Sequence, residues 1–275
     1  MMTTLMNNKF KLIAIDIDGT LKTDSNSDNS NTKLILNQCR QLGAKVVVAT
    51  GRSYMSALTY LDDFIDIDFL ISFQGALITE RLSDTTLWSR HISYENIKNS
   101  IVELRNYDVQ IILYSGNDIY VDNVTPWIIS YAERNKVKMI SVEDLLALDL
   151  PTYRILAVGD ELIIKNLEEI MKNKYSSNIY ATRSLPDFCE ILNKESGKDK
   201  ALEWICEKMG FSNNQVVAFG NGFNDVEMLT WSGFGVAMPD SEKEAINAAD
   251  VLIETSVPEY LEILIKSNKI GDDIV

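Results

Sequence analysis

One short stretch near the amino end constrains this chain more than any other. Leu12, Ile13, Ala14 and Ile15 run without interruption into Asp16, and Ile17 separates Asp16 from Asp18. An apolar run of this kind reads as a strand buried on both faces, as in a parallel sheet. Gly19 follows, and glycine takes up backbone conformations that other residues resist. In open parallel sheets, ligands bind at the carboxyl ends of the strands. Asp16 and Asp18 therefore read as site residues rather than as a solvated acidic turn.

The chain's 275 residues suit about two domains. Apolar residues make up 46% of it, ample for a core of that size. No apolar run approaches the roughly 18 residues that a bilayer span needs. The stretch before Asp16 lacks the apolar segment of a secretory signal. Cys39, Cys189 and Cys206 have no metal-site spacing, and an odd count argues against a disulfide framework. A reducing, cytoplasmic setting is the resulting expectation. The formal charge of −14 disfavours nucleic acid and anionic membranes as partners. It leaves room for a small phosphorylated substrate, because a metal ion or a lysine reverses the field locally. The single histidine, His91, rules out a multi-histidine metal site and reads as a surface residue.

Further along, buried-strand patterns alternate with helical ones. Residues 22–32 are rich in Ser, Asn and Asp and read as a loop, with Thr32 as a candidate cap for a helix over 33–42. A second buried strand over 45–49 ends in Thr50, Gly51 and Arg52, which makes a right-handed βαβ unit with the first. A helix over 53–61 leads to a third strand over 69–73, followed by Gln74 and Gly75. Residues 76–89 read as a hairpin turning at Ser83 and Asp84.

From about residue 93 the texture changes to short strands and helices, none ending in a catalytic cluster. The parallel pattern resumes with a helix over 199–209, a buried strand over 216–219 and a polar loop holding Asn221, Asn224 and Asp225. The expected fold class is α/β, a doubly wound Rossmann-like parallel sheet with an inserted α+β domain. The expected core is 1–84 with 189–275, and the insert is 85–188.

Four polar clusters lie at the strand ends or near them: Asp16 with Asp18, Thr50, Lys198, and Asn221 with Asn224 and Asp225. Each alone is weak. Thr-Gly-Arg is a plausible turn, Lys198 sits in an ordinary charged loop, and Asn-Gly is common turn chemistry. Taken in order, they are a stronger signal.

DIDGTL, VVVATGR, the Lys198 loop before Ala201 and Leu202, and FGNGFNDVEML resemble the four motifs of the haloacid dehalogenase superfamily. The insert between the second and third motifs resembles that of its Cof-type phosphatases. SFQGALI resembles that group's Asn-Gly-Ala stretch, with Gln74 where Asn is usual. The resemblance implies that Asp16 is the nucleophile, forming an aspartyl-phosphate. It implies that Asp18 is the acid and base, and that Thr50, Gly51, Lys198 and Asn224 hold the phosphoryl group. It implies that Asp16, the backbone carbonyl of Asp18, Asn221 and Asp225 surround Mg²⁺. Asn221 departs from the usual aspartate, which implies weaker metal binding because ligand charge tunes such sites. Residues 238–241 depart from the usual Met-Gly-Asn-Ala. The insert would be a cap, with Tyr114, Asp118, Tyr120, Arg154 and Arg183 as candidate substrate contacts.

The expected activity is hydrolysis of a small phosphorylated metabolite, a sugar phosphate or a phosphorylated cofactor. The competing reading is a weakly active or inactive regulatory binder on the same fold, motivated by Asn221. A phospho-receiver domain and a sugar-nucleotide transferase also use acidic strand ends. The first is about half this length, and the second does not account for Thr50, Lys198 and Asp225 in order.

Overall fold

A computed structural model describes residues 9–22, 30–61 and 66–272. The first strand, β1 (Leu12–Ile15), is fully buried. It leads through α1 (Ser30–Gln41) to β2 (Lys45–Ala49), then through α2 (Tyr54–Leu61) to β3 (Phe69–Ser72). The chain then turns back in β4 (Leu77–Glu80) and β5 (Thr85–Ser89). Most of the 22–32 loop lies outside the described residues. Helix α1 starts at Ser30, so Thr32 is buried inside it rather than capping it.

The insert runs α3 (Tyr94–Leu104), β6 (Val109–Ser115), β7 (Asp118–Val121), α4 (Pro126–Asn135) and β8 (Lys138–Ser141). It continues with β9 (Thr152–Gly159), α5 (Glu161–Tyr175), β10 (Ile179–Leu185) and β11 (Phe188–Asn193). Strand β8 escaped the sequence reading because it is short and only partly buried. The chain closes with α6 (Lys198–Met209), β12 (Val216–Gly220), α7 (Val226–Trp231), β13 (Phe234–Ala237), α8 (Lys243–Ala248), β14 (Val251–Leu252) and α9 (Val257–Lys266).

Two sheets result. The larger has the order β14-β13-β12-β1-β2-β3-β4-β5. Its first six strands are parallel, and β4 and β5 add an antiparallel edge. Alternation along β1 sends Ile13 and Ile15 into one core with α1, α2 and α9. Leu12 and Ala14 enter the opposite core with α6, α7 and α8. This two-sided burial is why β1 reads as a continuous apolar run. The chain leaves β1 toward β2 on one side and reaches β12 on the other, so the order reverses beside β1. That is the topological switch point at which doubly wound sheets bind ligands.

The smaller sheet, β10-β11-β9-β6-β7-β8, is antiparallel except where β7 and β8 run parallel. One face packs on α3 and α5. The other packs on α4 and on Phe73, Ala76 and Leu77 of the larger unit. Strand pairing moves the insert's edges. Thr85–Ser89 pairs with β4 in the larger sheet, and Phe188–Asn193 belongs to the smaller one. The crossings therefore lie near Arg90 and after Asn193, rather than at 85 and 188. Hairpin pairing decides the first edge: the hairpin expected over 76–89 keeps Thr85–Ser89 with the core, so an edge at 85 divided it.

Candidate active site

Asp16 leaves the end of β1 at the switch point, with Thr50 after β2 and Asn221 after β12. Gly19 lies in the left-handed region at φ 81°, and a Cβ there would come within 2.2 Å of the Asn221 side-chain nitrogen. The turn after Asp18 can therefore fold close to the Asn221 loop only with glycine at that position. Thr20 tightens the same approach, its hydroxyl donating to Asn221 Oδ1 at 3.0 Å.

Lys198 is the first residue of α6 and is 1% exposed, so it is no solvated loop charge. Its Nζ donates to Asp16 Oδ1 at 2.7 Å and to Asp225 Oδ1 at 2.6 Å. The other oxygen of Asp225 accepts from the Asn221 and Gly222 amides, both at 2.9 Å. Asp225 is thus buried with both oxygens engaged, and it does not line the cavity. Its place is beneath the site, where it aligns Lys198 and the Asn221 loop. Gly75 makes the Lys198 placement possible, since a Cβ there would meet the Gly197 carbonyl oxygen at 2.1 Å.

Burial pushes the Asp16 carboxyl up to about 7 against the pull of Lys198. For Lys198 burial works the other way, but Asp16 and Asp225 outweigh it and hold the ammonium above its usual range. Asp18 is exposed, and Arg52 grips it through Nε and Nη2, each at 2.7 Å. That pair raises Arg52 above its ordinary value.

A cavity of about 460 Å³ opens between the sheets over these groups. Asp16, Asp18, Thr50, Gly51, Asn221 and Asn224 form its floor, and the insert supplies its roof. Every sequence-derived site residue except Lys198 and Asp225 reaches its surface, and those two stand directly behind Asp16. Of the insert's candidates, Tyr114 and Arg154 line the cavity. Asp118 and Tyr120 do not. Arg183 pairs with Glu168 at 2.6 Å and lies over the Phe223 ring, a packing role. His91 is exposed beside the Tyr153 ring and does not line the cavity.

A polar chain that the sequence reading missed joins floor to roof. Asn224 donates to Gln74 Oε1 at 3.0 Å, and Gln74 Nε2 donates to Glu190 Oε1 at 3.1 Å. Arg154 Nη1 donates to Glu190 Oε2 at 2.8 Å and to the Gly51 carbonyl at 2.7 Å. Gln74 holds φ 52°, and its side chain fills the space over Gly51 that a Cβ would need. One signal was available in the sequence. Glu190 interrupts the apolar strand Phe188–Asn193 at a buried position, where a charge needs a partner.

Asp16, Asp18 and Asn221 line the same cavity floor, and Asn221 Oδ1 accepts from Thr20 there. No group of three or more His, Cys, Asp or Glu side chains draws together as a metal cluster among the described residues. One carboxylate with neutral oxygens fits a hard cation that keeps several waters, as Mg²⁺ does. The burial that disfavours the Asp16 anion would be relieved by such a charge.

The haloacid dehalogenase-like hydrolase family profile matches residues 13–257. A 5-amino-6-(5-phospho-D-ribitylamino)uracil phosphatase of Bacillus subtilis is 26% identical over 253 residues, 90% of this chain and 91% of that one. A second Bacillus subtilis phosphatase of that name is 27% identical, over 85% of this chain and 88% of that one. The crystal structure of a haloacid dehalogenase-like hydrolase from Bacteroides thetaiotaomicron superposes with a TM-score of 0.75 at 27% identity, covering 93% of this chain and 100% of that one.

Proposed function

Because this chain belongs to the haloacid dehalogenase-like hydrolase family, we propose that it is a Mg²⁺-dependent phosphatase acting on a small phosphorylated metabolite through an aspartyl-phosphate at Asp16. The observation that carries the reading is Lys198, buried and hydrogen-bonded to both Asp16 and Asp225 behind a cavity that also holds Asp18 and Thr50. A carboxylate repels a phosphate monoester, so it serves as nucleophile only where positive charge is built in beside it.

In the first half-reaction an Asp16 oxygen bonds to phosphorus as the ester oxygen leaves. The leaving oxygen takes the proton of the Asp18 carboxyl. In the second, Asp18 removes a proton from water, whose oxygen displaces Asp16 and frees inorganic phosphate. Help of this kind is worth about 10²–10⁴-fold. Lys198 offsets charge on Asp16 and on the transferring group. Thr50 and the Gly51 amide would donate to phosphoryl oxygens, a role supported by both residues lining the cavity. Asp16, the Asp18 carbonyl and Asn221 would hold Mg²⁺, which supplies charge neutralisation and in-line orientation when bound. Both Asp18 oxygens accept from Arg52, which orients the carboxyl at the cavity.

The insert acts as the cap, excluding water and choosing the leaving group. The relatives named for 5-amino-6-(5-phospho-D-ribitylamino)uracil act on a phosphorylated ribityl chain. That chemistry supports sugar phosphates and phosphorylated cofactors as the substrate class here. The second reading, a phosphate-ligand binder with little turnover, rests on the neutral Asn221 at the metal position. Phosphate release from a panel of sugar phosphates and an aryl phosphate, with Mg²⁺ and with chelator, separates the two. Metal-dependent release that is absent from Asp16→Asn supports the phosphatase. Silence across the panel with retained ligand binding supports the binder.

A further inference from the structure

A second, smaller cavity of about 230 Å³ adjoins the first and shares Arg52, Arg134 and Asn135 with it. Four cations line it, Lys22 and Arg52 from the core and Arg134 and Lys136 from the insert. Among the described residues no carboxylate lines it. The chain as a whole carries −14, so this concentration of one sign runs against its composition. Arg52 is balanced by Asp18. Lys22, Arg134 and Lys136 have no ion pair with a described carboxylate, and Lys22 rests only over the Tyr60 ring, 5.9 Å from its centroid.

Part of this arrangement has a local cause. Arg134 and Lys136 stand at the carboxyl end of α4, where the helix dipole favours cations. That cause does not reach Lys22 and Arg52, which come from different elements of the core and face the same space. The remaining polar lining also suits an anion. Ser56 offers a hydroxyl there and Asn135 the second hydrogen of an amide that already donates to the Tyr131 carbonyl, while the Thr59 hydroxyl is engaged with the Met55 carbonyl. The cavity lies between core and insert, so its occupant would touch both units at once.

We infer that this basic cavity receives a second anionic group, a phosphate or a carboxylate, carried by the same substrate whose phosphoryl group sits over Asp16. The preferred substrates are then small metabolites with two anionic ends rather than simple monoesters. The inference rests on the phosphatase reading for the first anion and adds the second. Arg52 is common to both cavities, so the second anion also competes with Asp18 for its guanidinium.

The test needs no turnover. The Asp16→Asn protein is titrated by calorimetry with fructose 1,6-bisphosphate and with fructose 6-phosphate, alone and with Lys22→Gln, Arg134→Gln and Lys136→Gln added together. The expected result is one-to-one binding, with the bisphosphate at least tenfold tighter, and loss of that margin in the combined variant. Equal affinities overturn the inference. So does a margin that survives the combined variant. Two equivalents of fructose 6-phosphate, one of them lost in the combined variant, would reveal a separate effector site and also overturn it. Because binding is read without catalysis, absence of hydrolysis in the wild type leaves this result interpretable.

Discussion

Arg52 donates to both oxygens of Asp18, from Nε and from Nη2, at 2.7 Å each. The pair stands at the mouth of the cavity, with the Asp18 side chain 54% exposed. Exposure keeps its contribution to folding small, while its position keeps it next to the reacting atoms. Arg52→Ala is expected to change unfolding free energy by about 1 kcal/mol or less. The same variant is expected to lower kcat/KM by roughly 10–100-fold, the worth of a charged hydrogen bond. Denaturant unfolding and steady-state phosphate release measure the two effects side by side.

Asp16 gives the metal-free protein a pH dependence of defined sign. Its carboxyl is pushed up to about 7 in the fold, chiefly by burial, while the unfolded chain keeps the ordinary value near 3.8. Between these values the folded state holds the proton and the unfolded state has released it. Stability from this residue is therefore full below about 4 and falls as pH rises toward 7. Asn does not titrate, so Asp16→Asn should gain on wild type across that window, by on the order of a few kcal/mol. Melting curves in chelator from pH 4.5 to pH 7.5 read the difference. A constant difference across the window would contradict it. Added Mg²⁺ at pH 7 should stabilise wild type and leave the variant unmoved.

Gln74 joins the two units through Asn224 and Glu190. Gln74→Leu removes both hydrogen bonds and leaves the buried Glu190 with fewer partners. The expected loss is about 1–3 kcal/mol, together with a rise in KM as the roof loses its register on the floor. Unchanged stability and unchanged KM would mean that the chain of hydrogen bonds joins nothing of consequence.

Asn221 offers a neutral oxygen where a full charge would bind a cation more tightly. Asn221→Asp should lower the Mg²⁺ concentration for half-maximal activity by about tenfold, since ligand charge sets affinity at such sites. The Thr20 hydroxyl can donate to either side chain, so the loop geometry has no reason to change. An unaltered metal requirement would separate Asn221 from the metal.

The core was legible because its physics is local. Leu12–Ile15, Lys45–Ala49 and Val216–Gly220 are buried on both faces, so their sequences announce both strand and sheet type. The site residues were legible for the same reason, since each follows one of those strands or opens a helix beside them. The insert was less legible. Its sheet is antiparallel and covered differently on its two faces, and β8 has no fully buried position. The long-range pairs were not legible at all. Nothing near Arg52 marks Asp18 as its partner, and Glu190 finds Gln74 across 116 residues. The basic cavity gathers Lys22, Arg52 and the end of α4 only once core and insert have docked.

The most direct test of the central claim is the mass of Asp18→Asn after incubation with an aryl phosphate and Mg²⁺, followed by an acid quench and proteolysis. Without its base the second half-reaction stalls, so the peptide containing Asp16 should carry the added mass of one phosphoryl group. Wild-type protein that turns over, beside a variant whose Asp16 peptide never gains that mass, would contradict an Asp16-linked intermediate resolved by Asp18.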